Sequence, residues 1–378
     1  MIAWYIISFS LLVFYFVLIF MFWIGWILIK QRTEPFNNEN KTKFTILIPV
    51  RNEEELILEN LNSLLSLNYP FDLFEILILN DHSTDRTGEI TEKFIEDNKN
   101  FPLKLLDLST YSAIKNKKDV ITFGVNNAQT EWIVLTDGDC RRNADWLKAL
   151  NEFIVEHNCK MIYAPVEFSS KGVFEHIQAL EFSGLVGIGG AAIRLKKPNM
   201  CSAANLAFKK EVFIEMGGYD NNNHIASGDD EYLLHKVFKM YPDEVFFLKD
   251  LRALVSTSPN SSIEQLANQR RRWVSKSTHY ENRYITVILA AAYFFNLSIL
   301  LNFILGIFYD NFLWMACIQI AFKASIEGLF LFDVLRFFKR SYLILFLLIA
   351  EPFHILYVLI IGIWANLAGY NWKGRKHI

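Results

Sequence analysis

The sequence predicts an α/β domain with a mainly parallel sheet, joined to one N-terminal and about three C-terminal helices that are transmembrane or interfacial. Of the 378 residues, 52% are hydrophobic, which is too many for one soluble domain, and the excess lies in long apolar blocks at both ends. Between these blocks, strand-length apolar runs alternate with polar turns and amphipathic helical patterns. Such alternation is typical of a parallel sheet with crossover helices.

The N-terminal apolar block covers residues 2–29 and carries no charge. It exceeds the ~20 residues that cross a bilayer, and it lacks the short core and small-residue cleavage site of a signal peptide, so we expect a retained anchor over residues 1–30. Lys30, Arg32, Lys41 and Lys43 follow it at once. Because positive flanks stay in the cytoplasm, we expect the N-terminus outside and the polar domain inside. Residues 31–43 are expected to be a linker, and residues 44–282 the domain.

Two strand-length runs open the domain, and polar side chains follow each of them. Phe44–Val50 is followed by Glu53, and Phe74–Leu79 is followed by Asp81. Because the carboxyl ends of parallel strands meet at one edge of a sheet, these groups are expected to face a common site.

The next strand, from Ile133, stops at Asp137, Gly138 and Asp139. Side chains two apart on an extended chain point the same way, so both carboxylates are expected to address one divalent cation. Mg²⁺ typically takes one or two protein carboxylates and completes its shell with substrate phosphates. An acidic surface turn is the alternative for an isolated Asp-Gly-Asp.

Two segments of this domain leave two interpretations open. Lys117 lies in a basic cluster before a helix, where it either reaches a diphosphate or belongs to a solvated charge run, and spacing alone favours the charge run. Residues 173–193 are apolar and rich in glycine, but too interrupted to span a membrane. They form either an amphipathic piece at the bilayer interface or an ordinary buried helix and loop.

Two further polar clusters follow. Asp229, Asp230 and Glu231 open a predicted helix; the favourable placement of carboxylates at a helix N-terminus explains one or two of them, but three less well. The sequence Gln-Arg-Arg-Arg-Trp at 269–273 lies before the next apolar block. A positive-inside belt with a tryptophan anchor is the alternative there.

A C-terminal membrane region is expected over residues 283–378, with apolar blocks at 284–308, 312–335 and 342–366. Lys323 and Glu327 share one helical face of the middle block, and Glu351 lies in the last. Ionisable groups inside a span favour a functional or pairing role. Four complete spans would leave the basic residues at 373–376 outside, against the positive-inside rule, so one C-terminal block is expected to be re-entrant or interfacial.

In this order, the motifs resemble those of the membrane-bound family 2 glycosyltransferases with the GT-A fold, a group that includes cellulose and hyaluronan synthases and ceramide glucosyltransferase. The resemblance runs from about residue 44 to residue 273. The matching motifs are DxD at Asp137, Gly138 and Asp139, the acidic pair at Asp229 and Asp230, and QxxRW at Gln269, Arg272 and Trp273.

The resemblance implies a role for each residue. Asp139 would hold Mg²⁺ or Mn²⁺, Asp230 would be the general base, and Arg272 would contact the diphosphate. Trp273 would be a wall of the acceptor site, and Asp137 would contact the nucleoside and sugar. The donor-binding residues implied are Pro49, Glu53, Asp81, Lys117, Asp137, Gln269 and Trp273. Asn116 stands where the family usually has a glycine.

The expected activity is an inverting transfer from a nucleotide sugar, most simply a UDP-sugar. A single displacement needs a base on the acceptor hydroxyl and an electrophile for the departing diphosphate, and no enzyme nucleophile. Four or fewer apolar segments are few for enclosing a polysaccharide channel. A lipid or lipid-linked acceptor is therefore favoured over processive synthesis with export. A catalytically silent nucleotide-sugar binding membrane protein is a second alternative, against which the intact acidic and arginine residues argue.

Charge and cysteine content limit which partners and which cellular compartment we expect. The net charge of −2 gives no electrostatic signature of nucleic-acid binding. The four cysteines lack metal-ligand spacing and are typical of a reducing environment. The expected partners are the donor, a lipid or glycan acceptor and membrane lipids. We expect the protein in a bacterial inner membrane, with its catalytic domain in the cytoplasm.

Overall fold

The computed structural model describes residues 1–33, 40–111, 114, 116–220, 228–275, 283–364, 370–372 and 375–377. Its helices are α1 Ile2–Ile27, α2 Ile57–Leu65, α3 Thr87–Asp97, α4 Lys117–Asn127, α5 Trp146–Glu156, α6 Val173–Arg194, α7 Lys210–Glu215, α8 Asp229–Met240, α9 Ile263–Ser275, α10 Arg283–Gly306, α11 Asp310–Phe337 and α12 Leu347–Trp364. Its strands are β1 Phe44–Val50, β2 Phe74–Asn80, β3 Leu103–Asp107, β4 Trp132–Leu135, β5 Arg141–Arg142, β6 Met161–Tyr163, β7 Val166–Phe168, β8 Leu206–Lys209, β9 Val245–Phe247, β10 Val255–Thr257, β11 Tyr370–Trp372 and β12 Arg375–His377.

The chain folds as two compact units. The sheet unit contains Ile29–Ser169 and Ala192–Ser258, and the helical unit contains Met1–Leu28, Ser170–Ala191 and Pro259–Ile378. The expected domains, 44–282 and 283–378, are continuous in sequence. The observed units are not, because most of α6 and all of α9 lie within 44–282 but belong to the helical unit. Part of the expected linker, 34–39, lies outside the described residues.

The sheet unit is built on a seven-stranded sheet with the order β3-β2-β1-β4-β8-β6-β9. β3, β2, β1 and β4 are parallel neighbours, and β6 is parallel to β9. β8 pairs antiparallel with both β4 and β6. The sheet is therefore mainly parallel, as predicted, and the carboxyl ends of β1, β2 and β4 meet at one edge.

A smaller sheet with the order β5-β10-β7 completes the sheet unit. The apolar run Met161–Val166 is divided between the two sheets, because β6 belongs to the seven-stranded sheet and β7 to the smaller one. Pro165 lies between them and has no backbone N–H for a ladder, while its carbonyl accepts a hydrogen bond from Val255 N. β10 thereby brings Thr257 beside the loop that follows β4.

Within the described residues, four helical stretches are long and apolar enough to cross a membrane: Ile2–Ile27, Arg283–Gly306, Asp310–Phe337 and Ser341–Trp364. This confirms one N-terminal and three C-terminal apolar helices. Residues 173–193 lie in one helix, α6, whose Gly187 faces α11: a Cβ there would lie 2.6 Å from Val334 Cγ2 and 2.9 Å from Phe330 Cζ. A contact this close matches the alternative of a buried helix.

Polar side chains pair with one another inside the helical unit. The indole of Trp4 donates to Asn302 Oδ1 at 2.7 Å, and the Asn302 amide donates to Gln319 Oε1 at 2.9 Å. The indole of Trp23 donates to Asp333 Oδ2 at 2.7 Å. α1 therefore runs antiparallel to α10 and parallel to α11.

A buried charge cluster joins α1, α11 and α12. Lys323 is 0% exposed, and its ammonium lies 2.9 Å from Glu327 Oε1 and 2.6 Å from Glu351 Oε2. His354 Nδ1 lies 3.4 Å from the same ammonium, and the Tyr15 hydroxyl donates to Glu327. The expected pairing of ionisable groups is confirmed, and it extends across three helices.

Candidate active site

The loops after β1 and β2 are tied together at the carboxyl edge of the sheet. The backbone N–H of Glu53 donates to Thr87 Oγ1 at 2.8 Å, and that of Glu54 donates to Asp85 Oδ2 at 3.0 Å. Pro49 is the next-to-last residue of β1, and Glu53 is half-buried in the loop after it. The residues expected to line the donor pocket from β1 therefore lie beside those from β2.

Asp81 is buried directly after β2. Its backbone N–H donates to Val50 O at 2.8 Å, and its carbonyl accepts a hydrogen bond from Arg51 Nη1 at 2.8 Å. His82 Nδ1 lies 3.0 Å from Asp81 Oδ1. The backbone of Asp81 is thus held between two neighbouring strand ends, and its carboxylate contacts His82.

Gly138 allows the loop after β4 to lie close to the end of β1. A Cβ at this position would lie 2.8 Å from Val50 Cγ1 and 3.2 Å from Glu53 Cγ. The loop turns here, and the N–H of Cys140 donates to Asp137 O at 3.3 Å. Because the chain turns at Gly138 and Asp139, it lacks the extended geometry on which the predicted alignment of Asp137 and Asp139 depended.

The two carboxylates of this loop have different partners. The ammonium of Lys117 donates to Asp137 Oδ1 at 2.7 Å, whereas the Thr257 hydroxyl donates to Asp139 Oδ2 at 2.8 Å. The thiol of Cys140 lies 3.6 Å from Asp139 Oδ1. Asp137 is therefore neutralised by a protein cation, and Asp139 has only neutral hydrogen-bond donors among these partners.

Lys117 connects the loop after β4 to the start of α8. Its ammonium also lies 3.6 Å from Asp229 Oδ2. Burial disfavours the charged ammonium, but the carboxylates of Asp137 and Asp229 outweigh this effect, and the pKa of Lys117 is raised above its ordinary value. The solvated charge run favoured by spacing is thus wrong for Lys117, which stays protonated inside a cluster of acids.

Local sequence explains how Lys117 is presented. Asn116, at the place of the family's usual glycine, caps α4 by accepting hydrogen bonds from Lys118 N and Asp119 N, and Asp119 completes a capping box. Gly124 lets α4 lie against the sheet, since a Cβ there would lie 2.6 Å from Leu79 Cδ1. Lys117 is therefore the first residue of a helix that is fixed at both its start and its middle.

The acids at the start of α8 also differ from one another. The carboxylate of Asp230 accepts hydrogen bonds from Ala203 N at 3.2 Å and from Glu231 N at 2.9 Å. Asp229 is buried and faces Lys117, and Glu231 is buried as well. Placement at the helix N-terminus therefore accounts for the contact of Asp230 with Glu231 N, while the Lys117 pair accounts for Asp229.

The motif at 269–273 lies on α9 in the helical unit. The guanidinium of Arg270 is 2% exposed and forms an ion pair with Glu181 at 2.8 Å. The guanidinium of Arg271 lies 4.4 Å from the centre of the Trp364 ring. Arg272 and Trp273 are half-buried. Two of the three arginines thus attach α9 to other helices, which a solvent-exposed positive belt does not explain.

The residues around Asp139 fit a divalent cation that is shared with a substrate. Among the described ranges, no three His, Cys, Asp or Glu side chains gather as a metal-binding group. Asp139 supplies one carboxylate with one oxygen fixed by Thr257. Such a site suits Mg²⁺ or Mn²⁺, because Mg²⁺ is often bound through one or two carboxylates and substrate phosphates.

Sequence reasoning missed Thr257 and Glu181. Thr257 lies 118 positions from Asp139, in a three-residue strand without a distinctive pattern. Glu181 lies in the glycine-rich segment, where no spacing relates it to residue 270. Both contacts are made by pairing between distant parts of the chain, and no local signal announces them.

Comparisons with known proteins agree with this architecture. Residues 45–217 match the model of the Glycosyl transferase family 2. The chain is 26% identical over 280 residues to the poly-beta-1,6-N-acetyl-D-glucosamine synthase of Staphylococcus epidermidis, covering 70% of this chain and 64% of that protein. It is 32% identical over 120 residues to the poly(ribitol-phosphate) beta-N-acetylglucosaminyltransferase TarS of Staphylococcus aureus, covering 32% of this chain and 20% of that protein.

The fold has a solved counterpart along nearly its whole length. The mannosyltransferase PcManGT from Pyrobaculum calidifontis superposes with a TM-score of 0.55 and 17% identity, covering 96% of this chain and 97% of that one. The curated relatives are matched over a fifth to about two thirds of their length, and the family model ends before α8 and α9. The chain carries a family 2 glycosyltransferase domain of the GT-A fold, together with one N-terminal and three C-terminal apolar helices.

Proposed function

We propose that this protein is a membrane-embedded inverting glycosyltransferase that moves a sugar from a nucleotide-sugar donor, with a UDP-sugar expected, to a hydroxyl of a lipid or lipid-linked acceptor. The observation that carries the proposal is the acidic cluster around Lys117. Asp137 and Asp229 flank one protonated lysine, with Asp139 and Asp230 beside them in sequence, at the carboxyl edge of a sheet where α/β proteins bind ligands.

The donor would bind at this edge. Pro49, Glu53 and Asp81 would line the nucleobase and ribose pocket, and Asp137 would contact the nucleoside and sugar. Asp139 would hold Mg²⁺ or Mn²⁺, which neutralises the charge on the departing diphosphate when bound. Support for a metal comes from the single fixed carboxylate of Asp139 and from the structural counterpart, which is in complex with GDP-Man and Mn²⁺.

Asp230 is the proposed general base. Asp229 is the weaker candidate, because its carboxylate already forms an ion pair with the ammonium of Lys117. Backbone amides orient both oxygens of Asp230, which holds the carboxylate in a defined position for an acceptor hydroxyl.

The proposed reaction is one displacement at the anomeric carbon. The acceptor oxygen forms its bond to this carbon while the bond to the diphosphate oxygen breaks, and the hydroxyl proton passes to Asp230. The diphosphate leaves with the electron pair, and Arg272 is the residue proposed to contact it. Gln269 would contribute to the donor site and Trp273 to the wall of the acceptor site.

The helical unit favours a lipid acceptor. Several of its buried polar side chains are engaged with one another, as in the contacts of Asn302 with Gln319 and of Lys323 with Glu351. A path for a growing polysaccharide would need such groups to face the sugar chain. Processive synthesis is the second candidate, and similarity to a poly-beta-1,6-N-acetyl-D-glucosamine synthase over 70% of this chain favours it.

A single preparation tests these alternatives. The protein is purified in detergent and incubated with Mn²⁺ and a panel of UDP- and GDP-sugars, and free nucleotide is measured with and without a lipid extract. Nucleotide release that depends on the extract, with one sugar added per lipid, supports the proposal. A polymer product would select the processive alternative, and donor binding without release would select the silent one.

The proposed location is a bacterial inner membrane, with the sheet unit in the cytoplasm, where nucleotide sugars are made. Support comes from the four basic residues that follow α1 and from the four apolar helical stretches.

A further inference from the structure

We propose that Glu181 is a positioning residue for the motif at 269–273, an inference that rests on the proposed roles of Arg272 and Trp273. Glu181 lies on α6, and its Oε2 accepts a hydrogen bond from Arg270 Nη2 at 2.8 Å. Arg270 is 2% exposed, whereas Glu181 is 25% exposed. The guanidinium of Arg270 is therefore almost fully buried, whereas the Glu181 carboxylate that pairs with it is partly exposed.

Arg270 contacts both ends of the motif. Its Nη1 donates to Gln269 Oε1 at 3.1 Å, and its guanidinium lies 4.3 Å from the centre of the Trp273 ring. The planar guanidinium can form hydrogen bonds in its plane while an aromatic ring stacks on its face. The orientation that Glu181 imposes on Arg270 is therefore passed to Gln269 and Trp273.

A second set of contacts joins the same two helix faces. Gln178 Oε1 accepts a hydrogen bond from Asn260 N at 3.0 Å, and Asn260 Nδ2 donates to Gln269 Oε1 at 2.9 Å. The Phe182 ring lies 6.2 Å from that of Trp273. Gln178, Glu181 and Phe182 are spaced i, i+3 and i+4, so one face of α6 supports the motif on α9.

Loss of the Glu181 charge should disturb this arrangement. A buried guanidinium without its carboxylate is an uncompensated charge, which is strongly unfavourable, so Arg270 would turn toward other acceptors or water. Trp273 would then lose the cation under its ring, and Arg272, on the same helical turn, would shift with it. A displacement of about 1 Å can cost about 100-fold in rate.

The first experiment compares Glu181→Gln with Glu175→Gln in the full-length protein. Glu175 is on the same helix, but its carboxylate accepts hydrogen bonds from the backbone of residues 171 and 172. We expect Glu181→Gln to lower kcat about 10- to 100-fold and to raise the acceptor KM. Donor Kd should stay within about threefold, and Glu175→Gln should resemble the wild type.

A double variant separates positioning from general loss of structure. If Glu181 acts through the motif, Glu181→Gln combined with Arg272→Ala should lose no more activity than Arg272→Ala alone. Wild-type kinetics for Glu181→Gln, or fully additive losses, would overturn the inference. If Glu181→Gln is not monodisperse, Glu181→Asp replaces it with the same expectations, because the shorter side chain keeps the charge but cannot keep the 2.8 Å contact in place.

Hydrogen exchange gives a readout that does not need activity. Glu181→Gln should speed amide exchange in residues 263–275, and Glu175→Gln should not. If the wild-type protein transferred no sugar, the proposed function would fail, yet the exchange experiment would still decide whether Glu181 orders α9. Unchanged exchange in α9 would contradict the inference even in an active enzyme.

Discussion

The two aspartates of the Asp-Gly-Asp loop have different partners, which supports the separate roles proposed for them. Asp137 is paired with Lys117 at 2.7 Å, whereas Asp139 accepts the Thr257 hydroxyl at 2.8 Å. A carboxylate already neutralised by an ammonium attracts a divalent cation less strongly than one bonded to a neutral hydroxyl. The distinction supports Asp139, rather than the pair, as the metal-binding residue.

Asp139→Ala should abolish transfer, and EDTA treatment of the wild-type protein should do the same. Without a cation, the carboxylates at this edge would repel a diphosphate. The measurement is sugar transfer in the presence and absence of Mn²⁺, with Mn²⁺ restored to the EDTA-treated protein as the control. Full activity in Asp139→Ala, or in the EDTA-treated wild-type protein before Mn²⁺ is restored, would show that the metal assignment is wrong.

Thr257→Val should weaken the response to metal without abolishing it. Valine keeps the shape of threonine but cannot donate to Asp139, and loss of such an outer contact typically lowers metal affinity about 10- to 100-fold. The measurement is the Mn²⁺ concentration for half-maximal transfer. Ser256→Ala is the matched control, because the Ser256 hydroxyl donates to Glu167 instead. An equal shift in both variants would argue against a specific role for Thr257.

At the scale of elements, local pattern predicted the beginning of the sheet and failed where pairing is long-range. The apolar runs of β1 and β2 and the cap of α4 depend on neighbours in sequence. In contrast, β8 enters antiparallel between β4 and β6, and its four residues carry no sign of that direction. The carboxylates of the DxD loop were located from sequence, but their orientation depends on a turn and on two distant partners.

The charge cluster of α11 and α12 should be essential for the stability of the helical unit. Lys323→Met leaves Glu327 and Glu351 buried without their cation, and breaking a buried pair in this way costs about 3–5 kcal/mol. We expect a clear fall in the unfolding temperature in detergent. Arg336→Met, an exposed position on the same helix, is the control and should change little.

Neutralising the cluster should recover much of that loss. In the variant that combines Lys323→Met, Glu327→Gln and Glu351→Gln, no charge is left without a partner. A single Lys323→Met protein as stable as the wild type would show that the three charges do not compensate one another.

At the scale of the whole molecule, contacts within the helical unit bear on which of the four apolar stretches cross the membrane. α1 runs parallel to α11, so the basic residues after both helices lie on one side. α12 begins ten residues after α11 ends, and its last residue, Trp364, packs on Arg271 of α9, which shortly precedes α10 in sequence. The end of α12 therefore packs against the helix that carries the motif at 269–273. We propose that α12 is re-entrant or interfacial, which is the arrangement expected from the positive-inside rule.

This topology predicts the location of both termini. In sealed right-side-out vesicles, protease should remove an N-terminal tag but should spare the sheet unit and a C-terminal tag. Inside-out vesicles are the control and should show the reverse. External cleavage of the C-terminal tag would mean that α12 crosses the membrane, and external digestion of the sheet unit would reverse the entire orientation.

The most direct test of the account is Asp230→Asn, measured for both turnover and donor binding. Asparagine keeps the shape and most of the hydrogen bonds but cannot take a proton, and loss of a general base typically costs about 10²- to 10⁴-fold in rate. We predict that kcat falls by this amount while donor Kd is nearly unchanged, whereas Asp139→Asn weakens donor binding as well. Near wild-type turnover in Asp230→Asn, or a loss of donor binding as severe as in Asp139→Asn, would contradict the assignment, and Asp229 or Glu231 would be tested next.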